Sequence, residues 1–384
     1  MMRYLLFLVQ LRLLKTSYFF SSMFWRRQSN DWVLGVQEIA SFLRNISESL
    51  DCVRSVCLYD TPYYAFDYDV DWTGSSKAQK FKRLIFGPIL LGYFVHRYKG
   101  FIYLGSAGFL ISDYDGRDAE MAFIKSKNKQ IVVFFLGSEI RSYALQKQYC
   151  EDNDIELIVS YQGYVNPSVS SQKKEKLRKR LAEAADSYAS VIFNPPIDQM
   201  SYLKRDSLDI LYFYPERLFS RNERKWLDFG KLKIFHGPSS PIVKGTPLVR
   251  AAIKKLKMEG YDFDYQEMSG VDHSVILNGL ATSHIVLNQF YAQVPGVFGI
   301  EALASGCVLL TSADRTIEQS LPKGANEAWV VTPYWDIYDT LKNALETPVP
   351  LLEKQANIGY QWALENYSSS KNAQTLKRYL NSES

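Results

Sequence analysis

Cysteine and histidine are scarce in this chain of 384 residues, with four of each. Cys52, Cys57, Cys150 and Cys307 make no CxxC pair, and two of them fall inside apolar strand patterns. No disulfide framework is indicated, and a reduced, cytoplasmic protein is the simplest account. The triplet Asn45-Ile46-Ser47 matches a glycosylation site but falls inside a helical pattern, so it is read as chance. Charge of one sign is lacking too. Lys plus Arg number 45 against 41 Asp plus Glu, a net +4 that is too mild to argue for a nucleic-acid partner. Long apolar runs are absent. Met1 to Trp25 is rich in Leu, Phe and Tyr, but Arg12 and Lys15 interrupt it before the roughly 20 residues a spanning helix needs. No small-residue cleavage site follows it, so it does not read as a signal peptide. It is either a buried first strand over Tyr4–Gln10 or an interfacial segment ending in Trp25-Arg26-Arg27.

What is present describes a folded protein. Hydrophobic content of 47% and charged content of 22% exclude a disordered chain, and the length exceeds one ordinary core, so two domains are expected. Aromatic content of 14%, with 26 tyrosines, suits sugar stacking, a membrane surface or well-filled cores alike.

Apolar positions at Val36, Ile39, Ala40, Leu43, Ile46 and Leu50 predict a first helix over Val36–Leu50, and Arg54–Tyr59 a strand. Thr61–Ser76 reads as a loop, Phe81–Tyr98 as a helix kinked at Gly87-Pro88, and Phe101–Leu104 as a strand. Gln130–Leu136 is a continuous apolar run, the pattern of a parallel strand covered on both faces. Open α/β sheets bind ligands at the carboxyl ends of their strands. Gly137, Ser138, Glu139 and Arg141, which follow this strand, are therefore either substrate contacts or an ordinary turn capped by Ser138. The helix Ser171–Tyr188 turns Lys173, Lys174, Lys176, Arg178, Lys179 and Arg180 outward, as a solvated face or as a dock for an anionic leaflet. Ser190–Phe193 is the next strand, and the stretch Tyr214–Lys225 separates the halves.

In the second half, the strand Lys231–Phe235 leads into His236-Gly237-Pro238-Ser239 and on to Lys244-Gly245-Thr246. A helix capped by Thr246 starts at Pro247, runs to Met258 and stops at Gly260. The strands Asp262–Met268, His284–Gln289, Cys307–Leu310 and Ala328–Thr332 alternate with helices over His273–Ala281, Trp335–Glu346, Leu351–Asn366 and Ser370–Leu380. Such alternation predicts an α/β protein with two Rossmann-like, doubly wound parallel-sheet domains facing each other across a cleft. The expected division is an amino-terminal domain at 1–213, a linker at 214–230, a carboxyl-terminal domain at 231–366 and a closing helix at 367–384 that packs back on the first domain.

Gly296 to Gly306 reads Gly-Val-Phe-Gly-Ile-Glu-Ala-Leu-Ala-Ser-Gly. It predicts a glycine-bounded loop, a two-turn helix with Glu301 in its first turn, a glycine stop and a buried strand. The first N–H groups of such a helix lack internal partners and carry the positive end of its dipole, which suits a phosphate. Glu301 would accept hydrogen bonds from a sugar diol, and together these features suggest a nucleotide-sugar site. In the plainer alternative the glycines only shape a turn and cap a helix.

These segments resemble the GT-B glycosyltransferases, specifically glycosyltransferase family 4, over most of the chain. His236 to Thr246 is similar to that family's phosphate loop ending in Lys-Gly. Gly296 to Gly306 resembles its donor segment, and Val132 to Arg141 its hydrophobic strand followed by Gly-Ser-Asp-x-Arg. The resemblance implies retaining, metal-independent sugar transfer from a nucleotide-diphosphate donor, with no other cofactor, the donor lying on the carboxyl-terminal domain and the acceptor on the amino-terminal one, where Gly137, Ser138, Glu139 and Arg141 would be acceptor-side contacts. It implies that Lys244 neutralises the diphosphate, that N–H groups near Gly299 and Ile300 assist, and that Glu301 binds ribose. Around them, His236, Gly237, Ser239, Gly245, Gly296, Val297 and Phe298 would line the donor site, and His273 flanks it.

Several positions depart from the family pattern. Gln293 stands where a second glutamate would precede Glu301, Ser239 where many members carry arginine, Leu136 in place of a histidine and Glu139 in place of an aspartate. Donor phosphate takes the acceptor proton in the mechanism the resemblance implies, so a protein base is not obligatory, and Gln293 would still hydrogen-bond sugar hydroxyls. Two functions follow. The first is a transferase acting on a glycan or lipid-linked acceptor in surface polysaccharide synthesis, cytoplasmic and peripheral at the membrane's inner face. The alternative is a non-catalytic GT-B protein that binds nucleotide-sugar or glycan, or acts as a scaffold.

Overall fold

The computed structural model describes residues 2–25, 28–59, 66–111, 114–227 and 230–381. Arg26-Arg27, residues 61–65 of the expected loop, 228–229 of the expected linker and the last three residues lie outside that description. The chain folds into two compact units. The first comprises Met1–Leu145, Ser171–Ile210 and Leu376–Ser384; the second comprises Gln146–Ser170 and Leu211–Thr375.

The first unit is built on six parallel strands: β1 (Trp32–Gln37), β2 (Val53–Tyr59), β3 (Val70–Asp71), β4 (Gly100–Leu104), β5 (Gln130–Phe134) and β6 (Val191–Phe193). Their order is β3-β2-β1-β4-β5-β6. Its helices are α1 (Met2–Phe24), α2 (Phe42–Ser49), α3 (Lys77–Arg97), α4 (Asp118–Lys125), the start of α5 (Tyr143–Asn153), and α7 (Gln172–Tyr188). The core joins Val33, Phe101, Ile131 and Val133 of the sheet to Phe7, Leu14, Phe94 and Leu181 of the helices.

Two expectations fail here, each for its own physical reason. The amino-terminal segment is a helix, not a strand. Its buried positions Phe7, Gln10, Leu14 and Ser21 recur every three to seven residues, a period that a window of strand length does not reveal. Val36 belongs to β1, whose Trp32, Val33, Leu34, Gly35 and Val36 are all buried, so it is a central strand covered on both faces rather than the start of a helix. Arg178 of α7 also faces inward. Its guanidinium donates to the Ser138 carbonyl at 3.1 Å and pairs with Glu175 at 3.0 Å.

The second unit holds β7 (Lys233–His236), β8 (Asp264–Glu267), β9 (Ile285–Leu287), β10 (Val308–Thr311) and β11 (Val330–Val331). All are parallel, in the order β11-β10-β9-β7-β8. Around them lie α8 (Pro241–Lys244), α9 (Thr246–Met258), α10 (His273–Thr282), α11 (Gly296–Ala304), α12 (Ala325–Ala328), α13 (Ile337–Glu346), α14 (Val349–Tyr367) and the first half of α15 (Ser369–Asn381), whose second half belongs to the first unit. Residues 146–170, with α6 (Ile158–Val165), join this unit because Tyr161 stacks on Tyr291 at 4.3 Å between ring centres. At its other end the Lys225 ammonium is buried. It donates to the carbonyls of Ser283 and Ser305, each at 2.8 Å, beside the Cys307 thiol at 3.3 Å. All four cysteines are free thiols; Cys57, Cys150 and Cys307 are buried, and Cys52 is half-buried.

Candidate functional site

A parallel sheet grows outward in both directions from a switch point, and the loops leaving the two strands there diverge to opposite faces and open a crevice. In the second unit the switch lies between β7 and β9, since β8 lies beyond β7 while β10 and β11 lie beyond β9. His236 pairs with Leu287 in register, so both strands end at the same level. The loops that leave them are residues 237–240, inside the His236 to Thr246 segment singled out from the sequence, and residues 288–295, which lead into the Gly296 to Gly306 segment.

His236 fastens this arrangement. It is fully buried, with Nδ1 2.7 Å from the Leu287 carbonyl and Nε2 2.8 Å from the Thr246 hydroxyl. The carbonyl only accepts, so Nδ1 carries the proton and Nε2 accepts the Thr246 O–H. Burial holds the imidazole below the usual histidine range, the Leu287 carbonyl opposing. Both ring nitrogens therefore tie β7 to β9 and to the start of α9. Thr246 is the first residue of that helix rather than its cap; the cap position belongs to Gly245, whose φ of 81° suits glycine.

Gly245 also closes α8, the single turn that ends in Lys244. The half-buried Lys244 ammonium donates to Gln289 Oε1. Gln289 is itself held, its Nε2 donating to the Val294 carbonyl and its own carbonyl accepting from the Thr311 and Ser312 hydroxyls, each at 3.2 Å. That bond to a neutral amide positions the ammonium at the end of α8. Phe298, in the first turn of α11, packs across Gly237: a Cβ there would stand 2.8 Å from its ring. The two loops thus meet, and the close approach accounts for the glycine. Ser239 is exposed on the first loop, and Gln293 is buried in the second.

α11 begins at Gly296, so the donors without helical partners are those of Gly296, Val297 and Phe298, not those near Gly299 and Ile300. Glu301 accordingly lies in the second turn, a correction to its expected first-turn place. Its nearly buried carboxylate is 2.6 Å from Nε2 of His273, the first residue of α10. That hydrogen bond raises the His273 pKa, burial opposing. Tyr214 is close enough to Glu301 for the carboxylate to raise the phenol further, after burial as the larger cause. The site therefore offers a positioned cation, free backbone donors and an oriented carboxylate.

In the first unit the Gly137–Arg141 turn has its polar groups engaged. Glu139 Oε1 accepts from the N–H groups of Leu136 at 2.6 Å and Gly137 at 3.2 Å. Arg141 donates to the Asp198 carbonyl at 2.7 Å and pairs with its carboxylate at 2.9 Å, both side chains buried. Ser138 is exposed. The turn follows β5, whereas this sheet's switch point lies between β1 and β4. There Glu38 accepts from the N–H groups of Leu43 and Arg44 at the start of α2 and from the Tyr68 hydroxyl.

Sequence reasoning missed Gln289, Asp198 and Glu38. Gln289 had a usable signal, a polar side chain at the end of an apolar strand run. Asp198 had none, because its partner Arg141 is distant in sequence.

No family model and no curated protein matches the sequence. Solved structures do match. Sucrose-phosphate synthase from Thermosynechococcus elongatus aligns over 91% of this chain and 98% of its own, with a TM-score of 0.59 at 11% identity. Anabaena HepE in complex with UDP and glucose aligns over 93% and 100%, with a TM-score of 0.58 at 12% identity. The E. coli trehalose-6-phosphate structure bound with UDP-2-fluoro glucose aligns over 92% and 100%, with a TM-score of 0.54 at 9% identity. The likeness is one of fold: two parallel-sheet α/β units of the GT-B type.

Proposed function

We propose that this protein is a glycosyltransferase whose second unit binds a nucleotide-diphosphate-sugar. The observation that carries the reading is the switch point itself, where adjacent strands deliver Lys244 on one loop and the α11 amino terminus, with Glu301 behind it, on the other. Lys244 stabilises the diphosphate that gains charge as the glycosidic bond breaks, and the N–H groups of Gly296 to Phe298 share that load. Glu301, oriented by His273, accepts hydrogen bonds from ribose hydroxyls. Gln293 serves sugar hydroxyls. HepE holds UDP and glucose in its complex, which supports a UDP-sugar as the donor class. The resemblance in sequence supports retaining, metal-independent transfer to a glycan or lipid-linked acceptor of a surface polysaccharide.

The test is the thermal shift of the purified chain with UDP, GDP, ADP and their sugar conjugates, beside Glu301→Ala. A ligand at about a hundred times its Kd adds roughly 2.7 kcal/mol, several degrees in midpoint. The expected result is a shift with one nucleotide that the variant loses. No shift with any of them overturns the donor site, and binding without turnover across an acceptor panel leaves a non-catalytic GT-B protein.

A further inference from the structure

α1 has two unlike faces. Inward, Gln10 donates to the Leu84 carbonyl and accepts from the Ile111 N–H, each at 2.9 Å, while Ser17 donates to the Ile89 carbonyl at 2.6 Å. These bonds and the buried Phe7 and Leu14 fix the helix to its unit. Outward, Leu5, Leu8, Val9, Phe19, Phe20 and Met23 are exposed, Phe19 by 62% and Met23 by 64%. Arg12 and Lys15 are exposed as well. At 3.6 residues per turn, Leu5, Leu8, Arg12, Lys15, Phe19 and Met23 share an arc of roughly 80°. The apolar face is therefore one stripe with two cations at its centre, unlike the scattered apolar side chains of an ordinary surface.

The charge on the helix's own segment has one sign. The first thirty residues contain Arg3, Arg12, Lys15, Arg26 and Arg27 and no carboxylate before Asp31. A basic strip adjoins it: the Tyr114 ring lies 5.3 Å from that of Tyr4, and the Tyr114 carbonyl accepts from Arg180 of α7 at 2.8 Å. Lys173, Lys174, Lys176 and Lys179 are exposed on α7 beside Arg180. Among the described residues no helix is long and apolar enough to cross a membrane.

We propose that the outer face of α1 docks, lying in the plane, on a bilayer rich in anionic lipid. Aromatic and aliphatic side chains enter the headgroup boundary, and Arg12 and Lys15 extend their stems along it to lipid phosphates. A two-fold contact between copies crossing at the middle of α1 would set Arg12 and Lys15 against themselves, a like-charge opposition with no carboxylate on the helix to relieve it. The charge pattern thus favours lipid over a second copy, and this inference stands apart from the donor site.

The experiment is co-sedimentation of the full chain with vesicles of phosphatidylcholine alone or with about one-third phosphatidylglycerol, at low and high salt. Expected is binding to anionic vesicles at least about tenfold tighter than to neutral ones, weakened by salt. The double variants Phe19→Asp/Phe20→Asp and Arg12→Gln/Lys15→Gln should each lose about tenfold. Both alter exposed positions, so unchanged circular dichroism and an unchanged nucleotide shift would show that fold and donor site persist. Failure of the wild type to sediment with anionic vesicles at low salt, or equal binding to both lipids, overturns the proposal. A wild-type dimer by light scattering that Phe19→Asp/Phe20→Asp converts to monomer also overturns it, in favour of self-association.

Discussion

The turn after β5 and the pair of loops after β7 and β9 both place charged side chains at the carboxyl end of a parallel sheet, but they use them differently. After β5, Arg141 is matched by the full charge of Asp198, and Glu139 folds back onto its own backbone. After β7 and β9, Lys244 is held by an amide, and Glu301 by a histidine whose side chain is 35% exposed. The difference teaches that the partner, more than the charged residue, indicates the role. A buried opposite charge commits the interaction to structure, whereas an amide or a titratable partner orients a charged group.

Removing Arg141 tests this contrast most severely. Arg141→Ala leaves the Asp198 carboxylate, 3% exposed, without its cation. Such a loss costs about 3–5 kcal/mol, read as a lower urea midpoint, with nucleotide binding by the folded fraction intact. Wild-type stability with impaired acceptor use would instead return this turn to the acceptor site. Lys244→Ala should do the reverse. We expect turnover to fall about 10²–10³-fold while the unfolding free energy stays within about 1 kcal/mol of wild type. A large loss of stability would place Lys244 with Arg141 as a structural cation.

A milder probe is Gly237→Ala, whose methyl would press on the Phe298 ring. It should cost about 1–3 kcal/mol in thermal denaturation and weaken nucleotide affinity as the two loops part. Normal affinity would mean that their contact does not shape the donor site.

The smallest effect is the pH dependence of the His273–Glu301 pair. Glu301 raises the His273 pKa above its usual 6.5, so the pair's contribution is complete below about pH 6.5 and fades as pH rises through the raised value. With the histidine one-third exposed, it amounts to about 1 kcal/mol or less. The gap in denaturation midpoint between wild type and His273→Gln should be open near about pH 5.5 and narrower near about pH 9. A gap that widens with pH would contradict the pairing.

Much of the fold was legible because parallel strands covered on both faces are written as short apolar runs, as in Gln130–Phe134 and Val308–Thr311. The amino-terminal helix was not, since its inward period emerges only over several turns while its first residues have strand composition. The Lys244 and Glu301 loops were legible from glycine placement around strand ends. What those residues touch was not: His236 is held by Thr246 and by Leu287, and Arg141 by Asp198, partners 10, 51 and 57 residues away that only the assembled sheets bring near. Glu301 moved from first turn to second because Pro295 starts the helix earlier than the inner glycine suggests.

The buried thiols give the two units separate chemical clocks. Cys57 lies in β2 of the first unit, where burial pushes its thiol up to about 11, and Cys307 lies in the second, where burial raises it against the opposing Lys225 ammonium. Both are protonated and out of reach of alkylating reagents while their sheets are intact. Half-buried Cys52 is the thiol that reacts first in the native chain. Pulsed alkylation during denaturation would therefore mark Cys57 when the first unit opens and Cys307 when the second does. Peptide mass spectrometry would then order the two events on the unmodified sequence, without an introduced probe.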